Sequence, residues 1–407
     1  MNVQAGETFT GLFSFCEKCD ILEKNRGGAE EIVGMDHVKI AVRQTDGYDD
    51  IPVREAVGQM LDALEAGKGL THESRVLIKP NLVTTKGPDT GVTTHPSVVA
   101  GVIYWLKKQG VSRITVADSP GGPYIPARLR SIYAACGYQE LADEAELNYD
   151  TGWKTRSNAA GSGICPQFNL IQPVVDADYI INVPKLKTHS MTVLSGGIKN
   201  LFGCVPGLQK PEMHYRYQDQ AAFARMLVEL AYTVAPNVTV MDATEAMEGN
   251  GPTGGSVRKA GVLMASKDVF TLDFAAAAWI GLSPAEVPML HISQEMGFIQ
   301  DFTMDGELPV IEPFQLPDAA QIDFMTKIPK GIRRPVKKII DGILRPVPKI
   351  DEQICVGCGK CAESCPPHTI DIVHGKASIH LRKCISCFCC QEMCPVQAIR
   401  IQRLLRF

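Results

Sequence analysis

Eight cysteines near the C-terminus repeat one spacing twice. "CVGCGKCAESCP" places Cys355, Cys358, Cys361 and Cys365 before Pro366, and "CISCFCCQEMCP" places Cys384, Cys387, Cys390 and Cys394 before Pro395. A cubane offers four irons, and three thiolates at C-x2-C-x2-C spacing can reach three of them from one tight loop; the fourth thiolate then comes from the other run. The spacing predicts two 4Fe-4S clusters, one on Cys355, Cys358, Cys361 and Cys394, the other on Cys384, Cys387, Cys390 and Cys365. Zinc would favour two separated C-x2-C pairs, and disulfides fit a cytoplasmic chain poorly. Cys389 is surplus to both sets and is expected as a buried thiol near a cluster.

This run given twice is the signature of bacterial two-cluster ferredoxins. Each half also ends alike, in "CPPHTIDIV" and "CPVQAIRIQ", so each cluster loop is expected to lead through a short turn into a strand. Oxidised clusters with four thiolates carry about −2 each. Residues 325–407 hold 15 Lys+Arg against 6 Asp+Glu, a balance of +9, so the remainder carries −13 of the total −4. Most of the excess lies in "KIPKGIRRPVKKIIDGILRPVPK", whose prolines mark a linker. It reads as a solubilising spacer or as a docking patch for an acidic electron donor.

A second group of polar residues asks for different chemistry. "NVPKLKTHSMTVLSGGIKNLFG", from Asn182 to Gly203, gathers lysines, asparagines, a histidine and glycines directly after the apolar "YIINV". Three further apolar runs end similarly: "SRVLIKPNL" in Lys79 and Asn81, "SRITVADSPGG" in Asp118, Gly121 and Gly122, and "NVTVMDATEAMEG" in Asp242, Glu245 and Glu248. Lys79, Lys185, Lys187 and Lys199 offer ammonium donors for a carboxylate or phosphate. Asn81, Asn182 and Asn200 add neutral donors and acceptors, and Gly121, Gly122, Gly196 and Gly197 allow close backbone N–H approach, as in an anion nest. His189 and His95 could move protons near neutral pH or ligate a metal, and Asp118 joins them as a candidate catalytic group. Taken singly, each lysine could be an ordinary surface residue, His95 a cap, and Asp118 or Asp242 a turn former.

These residues need a scaffold that brings four loops together. Between residues 36 and 324, strand-length apolar runs alternate with helical patterns, which predicts an α/β domain with a largely parallel sheet. Ligands of open α/β sheets bind beyond the carboxyl ends of the strands, where the lysine-bearing loops fall. At 407 residues the chain exceeds one ordinary core. We expect an N-terminal extension over 1–34, the α/β domain over 35–324, a basic linker over 325–349 and a small α+β ferredoxin domain over 350–407. Cys16 and Cys19 could be half of a metal site, but no second pair lies nearby to supply the four ligands a closed site needs.

Composition narrows the partners. Apolar content of 45%, charge of 21% and a net −4 suit neither nucleic acid nor membrane. The longest apolar stretch, Val269 to Leu282, is too short to span a bilayer and reads as a buried helix. No basic segment with an apolar h-region opens the chain, so a cytoplasmic location is expected. "GNGPTG" is interrupted by Pro252 and precedes a strand, against a dinucleotide site, and no P-loop sequence occurs.

"IKPN", "THP", "DSPGG", "NVPKLKTH" and "GGIKNLFG", followed by the ferredoxin-type tail, closely resemble the iron–sulfur members of the family called domain of unknown function 362. The resemblance spans roughly residues 36 to 405. It implies the architecture more firmly than an activity, in proteins similar to redox proteins of anaerobes and archaea. More locally, His189, the "SGG" of Ser195 to Gly197, and Lys199 are similar to a lactate racemase segment that holds a nickel-pincer nucleotide. That resemblance implies a site histidine at His189 and a covalent or cofactor-binding lysine at Lys199. The other catalytic residues of that family have no counterpart here, so an organic or nickel cofactor lacks support.

The leading expectation is an iron–sulfur oxidoreductase. A low-potential donor such as ferredoxin or flavodoxin would load the clusters, which would pass single electrons to a small anionic substrate in the basic crevice. Two other classes compete: a non-redox isomerase or racemase with structural clusters, and a plain electron carrier with a docking domain. The cysteine spacing carries a first prediction. Anaerobically purified protein should contain about eight irons and about eight acid-labile sulfides per chain; two tightly bound zinc ions instead would end the ferredoxin reading.

Overall fold

The structure, a computed structural model, describes residues 37–161, 163–319, 332, 336 and 344–405. Cys16, Cys19 and most of the basic linker lie outside these residues. Residues 38–407 form one compact unit in which the α/β domain and the cysteine-rich module pack together.

In chain order the strands are β1 (Val38–Gln44), β2 (Arg75–Pro80), β3 (Arg113–Val116) and β4 (Glu146–Leu147), then a side hairpin of β5 (Trp153–Ser157) and β6 (Gln167–Ile171). β7 (Tyr179–Val183), β8 (Lys185–His189), β9 (Val193–Ser195), β10 (Val238–Glu248), β11 (Ser256–Ser266) and β12 (Phe302–Asp305) complete the domain. The central sheet runs β12-β1-β11-β10-β7-β2-β3-β4, with β8 paired to β10 and β9 to β8. It is mostly parallel, as expected: β2 pairs in parallel with β3 and β7, and β7 with β10. Only β11 runs antiparallel to both of its neighbours among the strands of the main path.

Side chains alternate across the sheet into two cores. Ile40, Val42, Leu77 and Met241 enter the core beneath α4 (Gln220–Val234) and α5 (Val269–Trp279). Ala41, Ile78 and Val240 enter the opposite core beneath α1 (Asp50–Ala63) and α2 (Pro96–Lys108). This period-2 alternation fixes the register, because a one-residue slip would exchange the two faces. The apolar stretch from Val269 is the buried α5, and no helix among the described residues is long and apolar enough to cross a membrane.

Two sequence expectations change. Asp242, Glu245 and Glu248 do not follow a strand end; β10 runs through them, with a register shift between Ala243 and Glu245. Pro184 divides "YIINVPKLKTH" into β7 and β8, and only β8 continues along β10 into the lysine-bearing segment. The expected linker also ends early. Leu344–Ile350 is a strand, β13, paired antiparallel with β16 (Ile399–Leu405) across the module's two ends. Between them lie the hairpin β14 (Ile370–Val373) and β15 (Lys376–Ile379) and two one-turn helices, Lys360–Glu363 and Cys389–Glu392.

Candidate functional site

Two of the four lysines expected to face a ligand are locked in the protein interior. Lys79 leaves the end of β2 fully buried, with its ammonium 2.7 Å from the Asp118 carboxylate, 2.8 Å from the Pro80 carbonyl and 3.1 Å from Asn200 Oδ1. Asp118 also accepts the Leu82 N–H at 2.9 Å, tying the ends of β2 and β3 together. Lys185 is equally buried, 2.9 Å from Asp242, and shares that carboxylate with the Tyr48 hydroxyl. These are not exposed point charges awaiting an anion. They are buried ion pairs, where removing one partner strands the other.

The glycine nest is also occupied from within. The Asp273 carboxylate of α5 accepts the N–H groups of Gly197 at 2.6 Å and Ile198 at 2.9 Å. A Cβ at Gly196 would collide with that carboxylate, so glycine at this position serves close packing. Burial, only partly offset by the two N–H bonds, pushes the Asp273 carboxyl up to about 7. Asn182 donates to the Gly197 carbonyl at 3.1 Å and accepts from Asn200 at 2.8 Å, again a structural role. His95 caps α2 by accepting the Ser97 N–H at 3.2 Å, and its ring stacks on Tyr48 with centroids 3.7 Å apart. Burial, with the nearby Lys185, pushes it down to about 4 despite Asp242. Gly196, Gly197, Asn182, Lys185 and His95 are therefore not in the wall of the crevice.

The remaining candidates converge on a cleft of about 780 Å³. Asn81, Asp118, Gly121, Gly122, Lys187, His189, Lys199 and Asn200 all line it. Lys187 is fully buried and donates to Asn81 Oδ1 and to the Val92 carbonyl at 2.7 Å, and among the described residues it forms no ion pair with a carboxylate. Burial and then the charges of Lys199 and Lys185 push it down to about 7. Lys199 is half-buried, with its ammonium 5.1 Å from the Phe202 ring centroid, and burial lowers it as well.

Sequence reading missed several members of this wall. Lys210 and His214 sit on α3 (Gln209–Arg216), which carries no strand-end signal. Lys210 donates to the Ser119 carbonyl at 2.7 Å and the Val205 carbonyl at 2.9 Å, and burial pushes it down to about 7. His214 is stacked on Phe223 at 4.2 Å, is pushed down by burial to about 3, and leaves Nδ1 without a partner. Two more, Glu392 and Met393, come from the cysteine-rich module, together with Ser364 and Cys389. Glu392 Oε1 lies 3.1 Å from His189 Nε2, while His189 Nδ1 accepts the Met191 N–H at 3.1 Å. Burial raises the Glu392 carboxyl, but His189, Lys199 and His214 outweigh it and hold it at about 2. Met393 packs against Gly121 where any Cβ would collide with its sulfur.

The two cysteine runs interleave. Cys355, Cys358, Cys361 and Cys394 line one cavity whose other walls are glycine and apolar side chains. Around Cys390, burial and then the charges of Cys387, Cys384 and Cys365 raise its thiol well above the ordinary range. Backbone N–H groups point at sulfur in both sets: Ala377 at Cys355 (3.4 Å), Ala398 at Cys394 (3.2 Å), Thr369 at Cys365 (3.3 Å) and Ser386 at Cys384 (3.4 Å). Such bonds favour thiolates and tune cluster potentials. The thiols of the first quartet surround a cavity, which suits a cluster better than a single ion. Among the described residues no three His, Cys, Asp or Glu side chains could hold a single metal ion.

Comparison with known proteins agrees with this geometry. Residues 76–278 match the family described as "Domain of unknown function (DUF362)", and residues 347–395 match a 4Fe-4S dicluster domain. The thylakoid-associated protein sll1697 of Synechocystis sp. is 34% identical over 307 residues, covering 73% of this chain and 93% of that protein. The chain belongs to the DUF362 family. Among solved structures, the lactate racemase apoprotein from Thermoanaerobacterium thermosaccharolyticum is 11% identical, with a TM-score of 0.38 over 60% of this chain and 56% of that one. That likeness is too partial to bear on activity.

This DUF362 protein thus joins a cation-lined cleft to an iron–sulfur domain through the side chains of one loop. The contrast between locked and cleft-facing lysines yields a prediction. Lys79→Ala and Lys185→Ala should each cost about 3–5 kcal/mol, because each strands a buried aspartate. Lys199→Ala should cost about 1 kcal/mol or less. Thermal denaturation compares them; equal melting temperatures for all three variants would refute the division.

Proposed function

We propose that this protein is an iron–sulfur oxidoreductase that delivers electrons to a small anion, a carboxylate or phosphate, held in the cleft. One observation carries the reading. The loop from Cys387 to Cys394 is at once part of the cysteine quartets and, through Cys389, Glu392 and Met393, a wall of the cation-lined cleft. The ligand sets are Cys355, Cys358, Cys361 and Cys394 for one 4Fe-4S cluster and Cys384, Cys387, Cys390 and Cys365 for the other. When bound, the clusters supply single electrons at low potential.

The chain's own residues supply the rest. Lys187, Lys199 and Lys210 have neutral acceptors or an aromatic face as neighbours and, among the described residues, no paired carboxylate. Buried cations left this way are costly, and an anion offsets that cost. The same ammonium groups would stabilise negative charge developing on a substrate that accepts electrons. His189 holds a proton at Nε2, fixed by the Met191 N–H on Nδ1 and by Glu392 on the other side, and can pass it to a substrate. A low-potential carrier such as ferredoxin or flavodoxin would supply the electrons. The free thiols of the described residues fit a reducing compartment such as the cytoplasm.

A competing reading makes these lysines mere counter-ions to a cluster carrying about −2. Anion binding separates the two. Lys187 and Lys210, both near pKa 7, must be protonated to bind an anion, so affinity for inorganic phosphate or succinate should fall as pH rises from about 6 to 8. In the reconstituted protein, Lys187→Ala or Lys199→Ala should weaken that binding roughly tenfold or more, about 1.4 kcal/mol. Iron content should not change. Calorimetric titration reads both effects; absence of binding by wild type, or variants that lose iron in place of affinity, would leave the lysines as counter-ions.

A further inference from the structure

Three polar side chains of the cleft are left incomplete. His189 Nε2, His214 Nδ1 and Glu392 Oε1 are buried atoms without a hydrogen-bond partner among the described residues, and all three residues line the cleft. A fourth such atom, Asp118 Oδ1, has the Lys79 ammonium at 2.7 Å. His189 and His214 are only 1% and 3% exposed, so solvent does not complete them. A buried polar atom left unpaired costs free energy, and several in one cleft mark the place of a group that pairs with them.

These atoms differ in what they require. His189 Nδ1 accepts the N–H groups of Met191 at 3.1 Å and Thr192 at 3.4 Å, so the proton of the neutral ring sits on Nε2, which is a donor. Glu392 Oε1, as a carboxylate oxygen, can only accept. It lies 3.1 Å from His189 Nε2, close enough for electrostatic attraction, but the contact is not aligned as a hydrogen bond. An oxygen that carries hydrogen completes both, accepting from His189 and donating to Glu392. An ammonium can only donate, and a bare carboxylate or sulfate oxygen can only accept.

Glu392 is held in place by its backbone. Thr253 Oγ1 donates to the Glu392 carbonyl at 3.4 Å, and the Gln397 side chain donates to the Thr253 carbonyl at 2.6 Å. Glu392 is also the largest charge acting on Lys199 and on His214, so carboxylate, ammonium and imidazole share one small space. A carboxylate fixed among the cations of an anion site weakens the hold on every anion. It repels least the anion that can donate to it, and in that way contributes selectivity.

We infer that the cleft selects an anion carrying its own O–H, a phosphate group with one proton on it, whose hydrogen Glu392 accepts while His189 Nε2 donates to the same oxygen and Lys187 and Lys199 meet the remaining charge. This deepens the oxidoreductase reading above and rests on it. Of the two anion classes named there, phosphate alone brings an O–H of its own, because a carboxylic acid has lost its proton at neutral pH. His214 Nδ1 meets a further oxygen of the same group when the ring carries its proton there.

Sulfate is the matched probe. It is tetrahedral and anionic like phosphate, but it carries no proton at pH 7, where inorganic phosphate keeps at least one. The test is calorimetric titration of the full-length, anaerobically reconstituted protein at pH 7 and fixed ionic strength. Phosphate should bind about tenfold or more tighter than sulfate. Glu392→Gln removes the charge and offers an N–H in its place; it should strengthen sulfate binding and bring the two anions within about threefold of each other, with iron content unchanged. Equal affinities in wild type would overturn the inference, and a water molecule in the place of the O–H group gives that result. An undiminished preference in Glu392→Gln would overturn it as well, and the wild-type comparison decides by itself if that variant loses iron. Failure of the reading above shows differently, as no binding of phosphate, sulfate or succinate, and removes both.

Discussion

The buried pair of Lys79 and Asp118 is the constraint on which the site depends. It joins the ends of two adjacent parallel strands, and both partners make further bonds to the segments that leave them. Lys79 also holds Asn200, and Ser119, beside Asp118, donates its N–H to the Gly203 carbonyl at 2.9 Å. The short helical segment from Gly197 to Cys204 is thereby fixed over the sheet edge. Gly203 permits this approach, since a Cβ there would collide with both charged groups. An ion pair without water gains its full value only when every remaining lone pair and proton is met. The Pro80 carbonyl and Asn200 Oδ1 meet the Lys79 ammonium, and the Leu82 N–H meets Asp118 Oδ2.

On that floor, charge is distributed unevenly. Lys79 and Lys185 each have an aspartate; Lys187, Lys199 and Lys210 do not. Two carboxylates of the described residues line the cleft: Asp118, paired with Lys79, and Glu392, which comes from the cysteine-rich module to His189. The module therefore seats by electrostatic as well as steric fit: Glu392 meets a cation-rich wall, and Met393 fills the space that Gly121 leaves. Contacts of Lys86 with the Pro395 carbonyl and of Gln397 with Thr253 complete the seam. Cleft and cysteine-rich module thus share a wall.

On the proposed function, the cleft would have two sources of negative charge to accommodate, a bound anion and an adjacent thiolate-held cluster. Lysines with depressed pKa values near 7 suit that situation, because their charge responds to whichever anion is present.

The sequence by itself determined the cluster chemistry, the parallel α/β scaffold and the neighbourhood of the site. Cysteine ligation is a matter of short-range spacing, and strand-end placement follows from alternation of apolar runs with helices, so both are legible locally. Lys187, His189, Lys199, Asn81, Asp118 and Asn200 did meet in one cleft, because parallel strands bring their carboxyl ends to one edge. What the tertiary structure alone decided is which polar groups were already partnered. Lys185 and Lys187 are two residues apart and alike in sequence, yet one meets Asp242 and the other Asn81, partners 57 and 106 residues away. Asp273 fills the nest at Gly197 from 76 residues on. Lys210, His214 and above all Glu392 join the site through packing between distant segments, which leaves no local period or spacing to read. Partner choice inside a protein is set by three-dimensional proximity under a desolvation penalty, and one-dimensional order carries no record of it.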